Sequence, residues 1–232
     1  MADKTGSQEP NIIVATAYDD GYAEMGGLCE AHLRVWCQRQ GYRLHVERTM
    51  VADRPAAWTK IAVLGGLLAL PCDWVVWVDA DALVLDPEAD LRPLLLDAPD
   101  KDLHLAIHHL WSNPMPGMAQ RYDVPNTGVM ALRKGAFVTD LLGAIWDQTN
   151  YLTHPWWENA ALIHLLGYHR LLDPQGVNQP NQALWDRIAP LPWAWNAVPG
   201  EVDLAQSIIR HYTRRGSYEE RLAEMRREAT VL

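Results

Sequence analysis

The sequence predicts an α/β fold: a single-domain, doubly wound, Rossmann-like mixed sheet with helices on both faces. Three observations predict it. Short apolar runs that read as strands alternate with longer segments of helical period through the first half of the 232-residue chain. One of these runs, Trp74-Val75-Val76-Trp77-Val78, is apolar at every position, as expected of a strand covered on both sides. That run then stops at Asp79-Ala80-Asp81, and ligands of open α/β sheets collect at the carboxyl ends of strands.

Taken in order, Asn11 to Ala17 is a short buried strand leading into the polar turn Tyr18-Asp19-Asp20-Gly21. A helix from Ala23 to Gln40 follows, with Leu28, His32, Val35 and Trp36 at helical spacing and Gly41 as its stop. Tyr42 to Glu47 alternates like a second strand, Ala56 to Leu70 reads as a second helix, and the apolar run is the third strand. This βαβαβ order makes the sheet mainly parallel, with right-handed crossovers. Asp86-Pro87 opens a capped turn, Asp90 to Leu96 is a short helix and Leu103 to His108 another strand. The stretch from His109 to Pro125 has no clear period and reads as a loop, of a length that is usually functional or mobile. Thr127 to Leu132 resumes a strand, Gly135 to Thr149 makes an amphipathic helix, Trp157 to Leu166 a shorter one, and Tyr218 to Glu228 a charged one. No repeat or linker divides the chain into domains.

Composition narrows the function classes. At 49% hydrophobic residues the chain is not disordered. A formal charge of −9 argues against nucleic acid as a general partner, because a phosphate backbone wants a basic face. Cys29, Cys37 and Cys72 form no even framework and no CxxC pair, which fits reduced thiols and a cytoplasmic location. Residues 1–10 lack a signal-peptide core, and no apolar stretch reaches the length of a membrane span. Eleven tryptophans against one phenylalanine suit stacking surfaces for bases or sugars, and plain packing equally.

Asp79 and Asp81 are the centre of the functional reading. Two carboxylates beside a hydrophobic strand repel each other and are costly to desolvate without a cation or donors. A hard divalent ion, Mn2+ or Mg2+, prefers such oxygen ligands and is commonly shared with substrate phosphates. On an ideal strand their Cβ atoms stand roughly 6–7 Å apart, too far for one small ion. Either the strand turns at Ala80, or one Asp binds the ion while the other acts through water or a ribose hydroxyl. The plainer reading is a strand end carrying two solvated acids.

Other residues have paired readings. Lys60, on an apolar helix, reaches a phosphate as a point charge or snorkels to the surface. Arg210, Arg214 and Arg215 give an acidic protein local positive charge, or the last two form a solvated face. Gly128, after Asn126 and Thr127, permits close backbone approach to a ligand, or merely starts a strand. Trp156, Trp157 and Glu158 open a helix, with Glu158 at its positive dipole end as an N-terminal acid. His211 alone reads as an ordinary hydrogen-bonded histidine.

Together these blocks resemble GT-A nucleotide-sugar glycosyltransferases. Trp58-Thr59-Lys60 followed by Asp73 to Val84 is similar to fungal α-mannosyl- and α-galactosyltransferases and plant xyloglucan xylosyltransferases. Asn126 to Arg133, Trp157-Glu158-Asn159-Ala160-Ala161-Leu162 (where Asp-Gln is more usual) and Ile208 to Tyr212 continue the pattern in order over residues 11 to 215. The resemblance implies a nucleotide-binding half over about 11–110, a donor-sugar and acceptor half over about 111–215, and a C-terminal helix over 216–232.

It further implies Asp79, Asp81 and His211 as ligands of Mn2+ or Mg2+, and Thr16, Ala17 and Tyr18 at the base, with Tyr18 stacking. Asp79, Lys60, Arg210 and Arg214 would meet the diphosphate. Asn126, Thr127, Gly128, Trp156 and Trp157 would meet sugar and acceptor, and Glu158 with Asn159 would form the catalytic pair.

The implied reaction moves a hexose or pentose from a UDP- or GDP-linked sugar to a saccharide, lipid-linked or small-molecule hydroxyl, with retention of configuration. Two other classes compete. The strand also resembles the nucleophile strand of haloacid-dehalogenase phosphatases, with Asp79 attacking phosphorus. The altered acidic block suits a catalytically silent nucleotide-sugar-binding domain.

Overall fold

A computed structural model describes residues 9–115, 118–168, 179–199, 204–213 and 216–231, with the backbone alone for 109–123. The first half is the expected βαβαβ unit: β1 (Ile12–Ala17), α1 (Ala23–Gln40), β2 (Arg43–Glu47), α2 (Thr59–Leu68) and β3 (Trp74–Val78). Gly41 ends α1 at φ 70°, a left-handed conformation glycine adopts without penalty, and its N–H reaches Cys37 O. After β3 come β4 (Ala82–Val84), α3 (Arg92–Asp97), β5 (Leu103–Met115), β6 (Met118–Arg133) and α4 (Ala136–Trp146). The remaining elements are α5 (Trp157–Leu165), α6 (Gln182–Trp185), β7 (Ile188–Pro190), β8 (Ile209–His211) and α7 (Tyr218–Glu228).

The central sheet has strand order β2-β1-β3-β6-β5-β7, with β2, β1 and β3 parallel and β6 running antiparallel between β3 and β5. It is therefore mixed but mainly parallel, as expected: β6 alone runs against the other strands, and β5 and β7 pair parallel beyond it. Alternate residues feed two cores. Ile13, Ala15, Val75 and Trp77 pack with Trp58, Ile61 and Leu64 and with Leu141 and Leu142 of α4. Ile12, Val14, Trp74, Val76 and Val78 pack with Leu33 and Trp36 of α1. This two-sided burial is why every residue of β3 is apolar.

A two-stranded sheet, β4 antiparallel to β8, lies beyond the end of β3. Met25, Leu83, Tyr212, Leu222 and Met225 seal it against α1 and α7. Ser217 and Glu220 start α7 with reciprocal side-chain to backbone hydrogen bonds, so the helix begins at a defined point.

Among its described residues, the stretch from His109 to Pro125 is not a loop. Its backbone continues β5 and β6 as a long antiparallel ribbon, with irregularities in register between Leu105 and Ala106 and between Ser112 and Met115. Ladder hydrogen bonds hold that ribbon, and a composition of Trp, Asn, Pro and Met leaves no alternation to announce it. β4, β7 and α6, of three or four residues each, are too short to carry a period. Cys29, Cys37 and Cys72 are all free and buried. No helix among the described residues is long and apolar enough to cross a membrane.

Candidate active site

The chain turns where β3 ends. Ala82 N–H donates to Asp79 O at 3.1 Å, closing a turn over Asp79 to Ala82 that brings the two carboxylates together. Asp79 N–H is held by Gly128 O and Tyr212 N–H by Asp81 O, both at 2.8 Å, so neighbouring β6 and β8 fix the turn from two sides. Of the two geometries open to the acidic pair, the turn at Ala80 is the one observed.

His211, on β8 opposite Ala82, joins them. Its Nε2 lies 3.2 Å from Asp81 Oδ1 and 3.7 Å from Asp79 Oδ2. One atom from each residue lies within 4.8 Å of the others, the only such cluster of three among the described residues. Two carboxylate oxygens and one imidazole nitrogen make a donor set suited to a hard divalent ion. The second oxygen of each acid is already engaged. Asp79 Oδ1 accepts from Trp77 Nε1 at 2.6 Å and pairs with Lys60 Nζ at 2.9 Å. Asp81 Oδ2 accepts from Arg221 Nη1 at 2.8 Å.

Gly128 makes room for this arrangement. A Cβ there would lie 2.1 Å from His211 Cε1 and 2.4 Å from Nδ1. Its missing side chain thus seats the histidine, whereas the sequence suggested space for a sugar.

Lys60 is neither a surface lysine nor free for a phosphate. It is buried, and its Nζ contacts Glu158 Oε1 at 2.7 Å, Asp79 Oδ1 at 2.9 Å and Thr127 O at 3.2 Å. Burial disfavours its charge, but the two carboxylates outweigh that cost and raise its pKa. Glu158 is buried as well. Desolvation raises its pKa against the opposing pull of Lys60, and Asp79 adds to the rise. For Asp81, burial is overcome by His211 and Arg221, and its pKa is lowered.

Glu158 and Asn159 together grip one residue of β6. Thr127 Oγ1 donates to Glu158 Oε1 at 3.2 Å, and Thr127 N–H to Asn159 Oδ1 at 3.0 Å. The Glu-Asn pair that replaces Asp-Gln therefore locks α5 to β6 beside the acids.

All of this lies in a cleft of about 580 Å3. Ala17, Lys60, Asp79, Asp81, Thr127, Gly128 and His211 line it, together with Trp156, Trp157 and Tyr22. Trp157 is unusual: it is 42% exposed and sits at φ 41°, the only described non-glycine residue with positive φ.

Several expected residues are elsewhere or differently used. Thr16 is fully buried and is not part of the cleft lining. Tyr18 lines the cleft, but the Arg48 guanidinium covers its ring at 4.1 Å, its base abuts Gly26, and its hydroxyl donates to Glu30 Oε2 at 2.5 Å, so the stacking face foreseen for a base is already occupied. Arg210 alternates away from His211 on β8; it pairs with Glu228 and donates to Leu204 O at 2.7 Å, so it does not face the cleft. Arg214 and Arg215 lie outside the described residues. The arginine that does reach the acids, Arg221, sits one turn into α7, in a run of alternating charges that gives no sequence cue.

A sequence model described as the galactosyl transferase GMA12/MNN10 family matches residues 29–178. No curated protein sequence matches the chain significantly. Among solved structures, a glycosyltransferase involved in the glycosylation of the major capsid of PBCV-1 aligns with a TM-score of 0.66, covering 94% of this chain and 100% of that one at 14% identity. The glycosyltransferase GlyE of Streptococcus pneumoniae TIGR4 aligns at 0.56, with 93% and 60% covered and 14% identity. The galactosyltransferase LgtC, in complex with donor and acceptor sugar analogs, aligns at 0.55, with 95% and 96% covered and 14% identity. These likenesses identify the GT-A fold, and the phosphatase alternative with Asp79 as nucleophile falls with them. With its family pattern running from α1 past α5 on that fold, this chain belongs to the galactosyl transferase GMA12/MNN10 family and is a glycosyltransferase.

Proposed function

We propose that the enzyme transfers a hexose or pentose from a nucleoside-diphosphate sugar, UDP- or GDP-linked, to a hydroxyl acceptor, with retention of configuration and dependence on a divalent cation. The observation that carries this reading is the convergence of Asp79, Asp81 and His211 at the floor of the cleft. These three residues would hold the cation. When bound, it supplies positive charge to the donor diphosphate as the sugar departs. An imidazole in the donor set favours Mn2+ over Mg2+.

The chain's own residues do the rest. Arg221, at the cleft and within reach of Asp81, gives an acidic protein the local positive charge that a diphosphate needs. Asn126, Thr127 and Gly128 bring the β6 backbone to the donor sugar. Glu158 faces that sugar as a fixed carboxylate whose Oε1 is already engaged by Lys60 and Thr127. Such a group stabilises positive character at the anomeric carbon better than it removes a proton, which supports retention with the leaving diphosphate accepting the acceptor's proton. Trp156 and Trp157 offer aromatic faces to the acceptor, be it a saccharide, a lipid-linked glycan or a small molecule.

Thermal denaturation with UDP, GDP and their sugars, with and without Mn2+, tests the reading, because a ligand that binds only the native state raises its stability. A Mn2+-linked rise with one nucleotide is expected, followed by turnover whose product anomer reports retention. No cation-linked stabilisation by any nucleoside diphosphate would overturn it. Binding with no transfer to any acceptor would favour the silent nucleotide-sugar-binding domain.

A further inference from the structure

Behind His211 runs a chain of polar groups whose polarity is set at one end. Gly128 N–H can only donate, and it meets Asn126 Oδ1 at 2.8 Å. That contact fixes which end of the Asn126 amide is oxygen. The same oxygen accepts from Asn196 Nδ2 at 3.1 Å, which in turn fixes the orientation of the Asn196 amide. Asn196 therefore presents Oδ1 to His211 Nδ1, at 2.9 Å. An amide oxygen only accepts, so Nδ1 must carry a proton.

Of the two neutral imidazole tautomers only the Nδ1–H form fits, and its Nε2 lone pair points at Asp81 Oδ1 and Asp79 Oδ2. In that neutral form lone pairs from three atoms converge there, an arrangement that a divalent cation satisfies.

The fold supports this chain at each link. Asn196 is fully buried, at the end of a short 3-10 turn spanning Trp193–Asn196. The adjacent Ala197 is hydrogen-bonded to β8 on both sides, with its N–H to Ile209 O and its carbonyl to His211 N–H, both at 2.9 Å. That pairing sets the Asn196 and His211 side chains side by side. The Gly128 position serves twice, since its N–H anchors the relay and its missing Cβ leaves room for the imidazole.

We propose that Asn126 and Asn196 are positioning residues that hold His211 as its Nδ1–H tautomer, presenting an unprotonated Nε2 to a divalent cation shared with Asp79 and Asp81. The proposal rests on the cation reading above. It gives Asn126 a role distinct from contact with a sugar, and it brings in Asn196, which no feature of the sequence suggests.

The test uses the full chain labelled with 15N-histidine, free of metal and at alkaline pH, with the His211 signals assigned by their loss in His211→Gln. The wild type should show a protonated Nδ1 and a bare Nε2. Asn196→Leu, which removes the acceptor, should shift the population toward Nε2–H, where two carboxylates can accept. It should also weaken Mn2+ binding, read by calorimetry, by about 10–100-fold. Asn126→Asp keeps an acceptor for both Gly128 and Asn196 and should retain the wild-type tautomer.

If Asn196→Leu does not fold, Asn126→Ala, which releases the anchor, takes its place. An unchanged tautomer and Mn2+ affinity in the folded variant overturns the proposal, as does an Nε2–H tautomer in a wild type that binds Mn2+. A wild type with the Nδ1–H tautomer that binds no Mn2+ overturns the cation reading instead.

Discussion

Gly128 and His211 share one volume: the space that a side chain at 128 would fill is occupied by the imidazole, with a notional Cβ 2.1 Å from Cε1. Gly128→Ala should therefore displace His211 while leaving the two cores of the sheet intact. The expected result is a folded protein by circular dichroism with Mn2+ affinity lowered at least as far as by loss of the histidine itself. A Gly128→Ala protein that binds Mn2+ as well as the wild type does would show that the imidazole is not confined there.

Lys60 is the counterion of two carboxylates, one of them fully enclosed with it. Removing one partner of a buried ion pair leaves an uncompensated charge and costs about 3–5 kcal/mol. Lys60→Met should lose stability of that order in urea denaturation. Pairing it with Glu158→Gln should recover part of the loss, since the double variant buries one charge fewer. Equal stability of the single and double variants would argue that the two groups do not interact.

Arg221 touches Asp81 through an oxygen that faces away from His211. Arg221→Met should leave Mn2+ binding in place and weaken UDP or GDP far more than the corresponding monophosphate. A charged hydrogen bond of about 1.5–3 kcal/mol corresponds to roughly 10–150-fold in affinity by calorimetry. Chelating the cation with EDTA should abolish diphosphate binding in the wild type. Equal losses for mono- and diphosphates would place Arg221 away from the diphosphate.

Stability should also depend on pH through a residue far from the acids. His104 is buried against Trp74, its Nε2 has no partner among the described residues, and burial, aided by Arg133, lowers its pKa to about 4. The unfolded chain takes up that proton below about 6.5 while the folded chain resists it, so this contribution to stability is present above about 6.5 and is lost as pH falls toward 4. The slope is at most about 1.4 kcal/mol per pH unit. His104→Phe should flatten it, as read from urea midpoints at pH 7 and pH 5. An unchanged slope would assign the acid sensitivity to other groups.

Much of this was legible in the chain. The uniform apolarity of Trp74 to Val78, ended by two acids, announced both a two-sided strand and a site at its end. The stop at Gly41 marked a helix end that the structure reproduces. What stayed hidden depends on distance in space. Lys60 looks the same in sequence whether it snorkels or bridges Asp79 and Glu158, because its partners come from other elements. Arg221 and Arg210 both lie near His211 in the chain or the fold, yet strand alternation sends Arg210 to Glu228, and only the docking of α7 brings Arg221 to Asp81. The β5–β6 ribbon was missed because its pairing is made by the backbone.

Trp157 combines an exposed ring with a backbone that a bulky residue rarely adopts, at φ 41°. Holding a non-glycine residue in the left-handed region costs about 1–3 kcal/mol, and such strain persists where a site requires the side chain. Two substitutions separate backbone from ring. Trp157→Gly and Trp157→Ala both delete the ring, but only glycine relieves the strain. Trp157→Gly should therefore be more stable than Trp157→Ala by about 1 kcal/mol in urea denaturation. The two should raise the acceptor KM alike while leaving diphosphate affinity unchanged, as the proposed division of the cleft requires, with Trp157 serving the acceptor and Asp79 and Asp81 the donor. An alanine variant as stable as the glycine variant would mean that position 157 is not strained, and an unchanged acceptor KM would remove the ring from the acceptor's path.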